Sequence, residues 1–358
     1  MSKQTTDPST IDPLITDVER FITRYVSLAA DELRVIAVWI LHTWQFSEQC
    51  PTPNTTPYLY IFSAQKGSGK TLLGIDVLET LVRNPLQTLN MTGPTVFRIV
   101  EDMRPTLLID EVDAIWSGAK NDELRGVLNA GYRRGGKVPR VVPGGEVRMF
   151  SVFGPKALVG IDNAMLPDTV RDRCIPIHMH RATDSERADI QPFYHYEIED
   201  EVAVVADRLH SWAVVHGAAI RDYRPTPIDG LSPRQWEICQ SLLAVAHAAG
   251  CEASVREALA RIFGNAVERR SPEQDLLSMI FEVFNDVPEK LGGPRDRVTT
   301  NEILAHIASD PRFASYNGQR LGKVLAPFGV TPTTIRMGNI VAKGYMRAAF
   351  IDAWERYL

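Results

Sequence analysis

Ala64-Gln65-Lys66-Gly67-Ser68-Gly69-Lys70-Thr71 follows a short apolar run, 58–62, and opens a helical pattern. The octet fits G-x-x-x-x-G-K-[ST], with Ala64 in place of the first glycine. Binding a phosphate needs several backbone N–H groups converging on one point, and glycines permit that path. A helix starting at the same place adds the positive end of its dipole. Lys70 is then expected at the β- and γ-phosphates and Thr71 on Mg²⁺. Ala64, Gln65, Lys66, Gly67, Ser68 and Gly69 complete the cradle.

A second motif lies downstream. Leu107-Leu108-Ile109-Asp110-Glu111 is an apolar strand ending in two carboxylates. In an open α/β sheet that carboxyl edge is where ligands bind. Asp110 is expected to hold the Mg²⁺ and Glu111 to orient the attacking water. Asp113 reads as solvated or structural. Further on, an apolar run, 157–161, ends in Asp162 and Asn163, and a short helix then carries Arg171 and Arg173. Asn163 is a candidate contact to the attacking water or γ-phosphate, with Asp162 as its alternative. Hydrolysis needs positive charge aimed at the γ-phosphate as the transition state forms, often supplied by a neighbouring subunit. Arg173 is the candidate for that role and Arg171 the second choice. Ser232-Pro233-Arg234 places an N-cap, an N1 proline and an arginine at a helix start; in the class this chain resembles, named below, a lid arginine that reports nucleotide state often sits there, and an ordinary exposed arginine is the alternative.

The chain of 358 residues is long enough for two or three domains. Hydrophobic residues make up 44% and charged residues 23%, an ordinary globular balance. The net charge of −5 leaves no global nucleic-acid footprint, so DNA binding must be local. The four cysteines are scattered, which excludes a C-x-x-C zinc pair and fits a reducing compartment. Residues 1–13 are polar, unlike a signal peptide, and read as a disordered lead-in. The most apolar run, 35–44, falls short of the ~20 residues that span a bilayer. A soluble, cytoplasmic protein with no membrane association is expected. The remaining organisation is a helical segment at 14–57, a core of alternating strands and helices at 58–181, helices at 182–290 and a small unit at 291–358. Strand–helix alternation predicts an α/β fold with a mostly parallel sheet.

The order of glycine-rich loop, Asp-Glu strand, polar-tipped strand, finger arginine and arginine-bearing helical lid resembles the AAA+ superfamily of P-loop NTPases. More narrowly, the chain resembles a family of ATPase domains of unknown function from actinobacterial phages, plasmids and integrated elements. The carrying stretches are 39–43, 56–60, 105–113, 128–136, 166–173, Gly344-Tyr345 and 354–358. The resemblance implies a three-layer core with a helical lid, ATP and Mg²⁺ as cofactors, and a homo-oligomer, hexameric in its ring form. It further implies work on DNA during replication of a mobile element, alongside a separate primase or other replication proteins. An ATP-switched initiator or helicase loader is the alternative to a helicase or translocase. A remodeller of a protein partner is a third reading.

Two segments bear on DNA. Residues 137–150 hold two β-prone runs around Pro143-Gly144-Gly145, a β-hairpin pattern. In similar ring helicases a hairpin there lines the pore, and Lys137, Arg140 and Arg148 are its candidate phosphate contacts. The segment from Gly293 to Leu358 holds nine Lys/Arg against five Asp/Glu. Its helix from the Thr299/Glu302 capping box, second helix at 319–325, Gly338-Asn339 hairpin and final helix predict a winged-helix-like unit. Arg320, Lys323, Arg336 and Lys343 are its candidate phosphate contacts.

Overall fold

The apolar runs pair into one parallel sheet because each is buried on both faces. The structure is a computed structural model, and it describes residues 11–63, 66–88, 93–112, 122–142, 144–161, 166–267, 272–285, 295–337 and 340–358. Two compact units divide the chain, Met1–Ala266 and Val267–Leu358.

In the first unit, β1 (Tyr58–Phe62), β2 (Pro85–Thr88), β3 (Thr106–Ile109), β6 (Lys156–Gly160) and β7 (Cys174–His178) form a sheet of order β2-β3-β6-β1-β7. All four pairings are parallel. The chain leaves β1 toward β2, returns through β3 and β6, and then crosses to β7 on the other side of β1. Ligands bind such sheets at the carboxyl ends beside the reversal. β4 (Lys137–Val141) and β5 (Val147–Ser151) pair antiparallel as the predicted hairpin.

The chain after β1 winds through a π-bonded stretch, Leu72–Val77, into α3 (Leu78–Leu81). A side chain at Gly74 would place its Cβ 2.3 Å from Val159 Cγ2 and 3.3 Å from Ile61 Cδ1. Glycine there lets the helix press directly on β6 and β1.

Helices α1 (Pro13–Thr23), α2 (Ala30–Trp44), α8 (His195–Asp222), α9 (Pro233–Ala248) and α10 (Glu252–Val267) share one apolar core with the sheet. The segments expected as separate, 14–57 and the helices after 182, are therefore one body with the strands. Trp39 Nε1–H donates to the Pro57 carbonyl at 2.8 Å, tying α2 to the entry of β1. The lead-in expected over 1–13 falls largely outside the described residues, while Asp12 and Pro13 belong to the start of α1. Asp12 Oδ1 caps α1 by accepting the Leu14 N–H at 2.9 Å, and Asp12 Oδ2 accepts the Trp212 Nε1–H at 2.8 Å.

The second unit begins earlier than 291. α11 (Pro272–Asn285) buries Leu276, Leu277, Ile280 and Phe284 with Tyr345, Phe350 and Trp354. β8 (Arg297–Thr299), β10 (Ile340–Met346) and β9 (Thr333–Met337) form an antiparallel sheet in that order. α12 (Thr300–Ile307), α13 (Gly318–Leu325) and α14 (Ile351–Tyr357) complete it. The Thr299/Glu302 capping box forms as predicted. Among the described residues, no helix is long and apolar enough to cross a membrane.

Candidate functional site

The carboxyl ends of β1, β6 and β3 lie side by side, with Phe62 opposite Gly160 and Ile109 opposite Leu158. Strands sit ~4.8 Å apart, so the β1 and β3 ends are ~10 Å from each other. From β1 the chain enters the glycine-rich loop. Gly67 (φ +76°) and Gly69 (φ +79°) both occupy the left-handed region, and helical bonding starts at once with Leu73 N–H on the Gly69 carbonyl at 2.9 Å. Two such turns before a helix gather backbone N–H groups into one concavity. A Cβ at Gly69 would lie 3.5 Å from Val26 Cγ1 and 3.8 Å from Met179 Cε. The loop is thus wedged between the chain after α1 and the chain after β7. Ser68 is buried, and its Oγ has no hydrogen-bond partner among the described residues. Lys66 and Thr71 are exposed and Lys70 is half-buried.

Across the edge, Asp110 is half-buried and its Oδ1 accepts the Glu111 N–H at 2.7 Å. Glu111 is exposed and left-handed at φ +52°, a conformation that costs a non-glycine residue about 1–3 kcal/mol and concentrates at functional sites. Asp76, in the π-bonded stretch, has its carboxyl pushed up chiefly by burial and further by Asp110, against the pull of His195. Asp76 carries no motif signal, since only the wound helix turns it toward this edge. The candidates Ala64, Gln65, Asp113, Asp162 and Asn163 lie outside the described residues.

A different constellation occupies the opposite, amino edge. Tyr132 is buried, and its carbonyl accepts the Thr56 N–H at 2.8 Å, just before β1. Arg173 lies just before β7, its carbonyl accepting the Tyr58 N–H at 3.0 Å. Three guanidiniums surround the Tyr132 ring, Arg173 at 4.7 Å, Arg234 at 5.1 Å and Arg133 at 5.5 Å from its centroid. Arg234 also donates to Tyr132 Oη and pairs with Glu237, whose other oxygen pairs with Arg133. Arg173 Nη1 donates to the Thr169 carbonyl, while its Nε is buried without a hydrogen-bond partner among the described residues. Arg171 is engaged locally, to Asp168 at 2.9 Å and the Leu166 carbonyl at 3.0 Å. Asp172 has its carboxyl pushed up by burial and by Asp168, against Arg173, Arg171 and Arg234. The structure therefore brings Arg173 and Arg234 together and sets both at the end of the sheet away from Lys70.

Beneath this cluster sits a fully buried lysine. Lys156 Nζ donates to the Gly154 carbonyl at 2.8 Å and the Val152 carbonyl at 3.1 Å, and lies 4.8 Å from the Tyr58 ring centroid. A longer contact, 3.5 Å, reaches the Gly131 carbonyl beside Tyr132. Burial pushes its ammonium down to about 7. Neither Tyr132, Glu237 nor Lys156 was identifiable by motif. The 131–136 run of glycines, tyrosine and arginines was the nearest sequence signal.

The candidate DNA contacts differ between the units. On the β4–β5 hairpin, Arg148 pairs with Glu101 at 2.7 Å and lies 4.7 Å from the Phe150 ring centroid. Arg140 lies 4.9 Å from the Phe97 ring centroid. Both lean on α4 (Gly93–Met103), Arg148 remaining exposed, and Lys137 is exposed together with Val141, Val147 and Met149. In the second unit Arg320, Lys323, Arg336 and Lys343 are exposed. Arg320 stacks 4.4 Å from the Tyr316 ring centroid at the start of α13.

Residues 178–357, from the end of β7 through α14, match the model of a family described as protein of unknown function DUF3631. The chain is also 28% identical over 181 residues to a protein of Saccharopolyspora erythraea, the "uncharacterized 28.9 kDa protein in xis 5'region". That similarity takes in 47% of this chain and 65% of the relative, less than two thirds of its length.

Proposed function

We propose that this chain, which belongs to the DUF3631 family of proteins of unknown function, binds Mg-ATP at residues 66–71 and hydrolyses it as an AAA+ P-loop ATPase acting on DNA. The observation that carries the reading is the pairing at one sheet edge of a loop with two left-handed glycines opening a helix and a strand end bearing Asp110 and Glu111. The buried Ser68 Oγ, without a hydrogen-bond partner among the described residues, and the absent Cβ atoms of Gly67 and Gly69 suit a phosphate cradle. Thr71 and Asp110 are the residues that would hold magnesium, which supplies charge neutralisation on the phosphates. Lys70 binds the terminal phosphates and Glu111 orients the attacking water; the candidate water contact, Asn163, lies outside the described residues. Arg173 supplies positive charge from a neighbouring copy of a ring.

The second unit supports a winged helix. Its order of helix, strand, two helices and hairpin presents α13 with Arg320 and Lys323 on its exposed face, the arrangement that enters a major groove. A relative named for an xis 5' region fits a mobile-element setting. Helicase or translocase action is one form of this activity. The tethered Arg140 and Arg148 favour the other form, an ATP-switched DNA binder or loader that does not translocate. The test is Mg-ATP turnover with and without single- and double-stranded DNA, together with unwinding of a forked duplex. DNA-stimulated turnover with unwinding supports a motor. Stimulation without unwinding supports the switch. Turnover indifferent to DNA removes both.

A further inference from the structure

The Tyr132 cluster poses a question of charge. Three guanidiniums converge on one buried ring against two carboxylates: Glu237 is bonded to Arg133 and Arg234, and Asp172 lies close enough to act on Arg173 and Arg234. Arg173 contributes a buried Nε with no hydrogen-bond partner among the described residues. A buried guanidinium donor left unpaired is costly, so the arrangement calls for a further anion. The forks of Arg173 and Arg234 suit a phosphate, which each binds through two parallel N–H groups.

That phosphate cannot belong to the chain's own loop. Arg173 and Arg234 sit at the amino ends of β1 and β7, while residues 66–71 follow the carboxyl end of β1. The five residues of β1, at ~3.3 Å each, separate the two edges by more than an arginine's reach. The two edges are opposite ends of one sheet, and their charges are complementary. With a triphosphate bound, Asp110 and Glu111 set against Lys66 and Lys70 would leave one end negative, and Arg133, Arg173 and Arg234 set against Glu237 and Asp172 leave the other positive.

We propose that Arg234 acts in trans. Tyr132 is a platform that holds Arg173 and Arg234 together against the Mg-nucleotide bound by a second copy of this chain, docked carboxyl edge to amino edge. Glu237 holds Arg234 and Arg133 in the undocked chain and yields Arg234 to the incoming phosphates. The helix that carries Arg234 therefore reports on the neighbour's nucleotide and not on its own. Such a contact uses two different surfaces, so repeated around a closing rotation it forms a ring. The proposal rests on the nucleotide reading above.

Subunit mixing tests it. Arg234→Ala, and Arg234→Gln in case the first variant unfolds, should lower Mg-ATP turnover about 100-fold. Each should still bind a fluorescent ATP analogue with wild-type affinity under dilution to monomers. Lys70→Ala should be inactive alone. A random 1:1 mixture of the Lys70→Ala and Arg234→Ala proteins pairs an intact loop with an intact arginine at about a quarter of interfaces, and turnover should return toward that fraction. No recovery in that mixture, or weakened analogue binding by diluted Arg234 variants, would place Arg234 on its own nucleotide and overturn the proposal. Wild-type protein that ignores Mg-ATP would instead remove the nucleotide reading itself.

Discussion

The two ends of the parallel sheet are built by different means. At the carboxyl end the main chain shapes the site: two left-handed glycines, a helix start and a left-handed Glu111 define a concavity before any long side chain enters it. At the amino end side chains shape it, with Tyr132, Arg173 and Arg234 arriving from three separate segments onto one ring. A site made of backbone depends on a few adjacent residues and leaves a motif. A site made of converging side chains depends on the fold and leaves almost none. In the proposed activity the first end binds nucleotide and the second acts on a neighbour's.

The sharpest way to break this division is to damage each end separately. Lys70→Ala should abolish Mg-ATP turnover, a loss of ~10³-fold or more, measured by phosphate release on protein whose circular dichroism is unchanged. Arg173→Ala should keep wild-type nucleotide affinity by titration calorimetry and lose turnover by ~10²–10³-fold. Equal loss of affinity in both variants would mean that the two ends are not functionally distinct.

A third prediction concerns stability beneath the amino end. The Lys156 ammonium is pushed down to about 7 by burial, against ~10.4 in an unfolded chain. Between those values the unfolded chain holds more protons, so the Lys156 contribution to stability rises with pH and its penalty is fully present below about 7. Urea denaturation at pH 7 and pH 9 should show wild type gaining on Lys156→Met by about 2 kcal/mol. A constant difference between the two proteins would mean that Lys156 does not titrate in this window. The smallest effect belongs to the second unit. Arg320→Ala should weaken duplex binding a few-fold and reduce the salt slope of affinity by about one unit, read by anisotropy over a salt series. An unchanged slope would remove α13 from the interface.

Legibility in the sequence follows the same division. β1, β3, β6 and β7 were readable because buried parallel strands are continuous apolar runs, as in Leu107-Leu108-Ile109. β2 was not, because Pro85–Thr88 is a half-buried edge strand with no apolar run. The second unit begins before the 291 boundary that its Gly/Pro stretch suggests, because α11 has an amphipathic pattern that suits either neighbour and only its burial with Tyr345 and Trp354 assigns it. Arg173 and Arg234 were picked out singly, but their meeting on Tyr132 was invisible, since residues so far apart in the chain share no spacing rule. The hairpin arginines carried the right charge, yet Glu101, Phe97 and Phe150, which hold them, come from outside the turn pattern or from its last strand.

The widened turns of Leu72–Val77 leave a spare residue in the winding between the loop and α3. Restoring ordinary α-helical turns would twist one end of that segment against the other by about 100° for each residue taken up. Gly74 is clamped against Val159, so the twist would be felt on either side of that clamp: by Lys70 and Thr71 in one direction and by Asp76 in the other. A shortened version of this segment, lacking one residue after Gly74, would therefore work as a mechanical gauge of how much torsion the loop tolerates before the proposed hold on nucleotide slips.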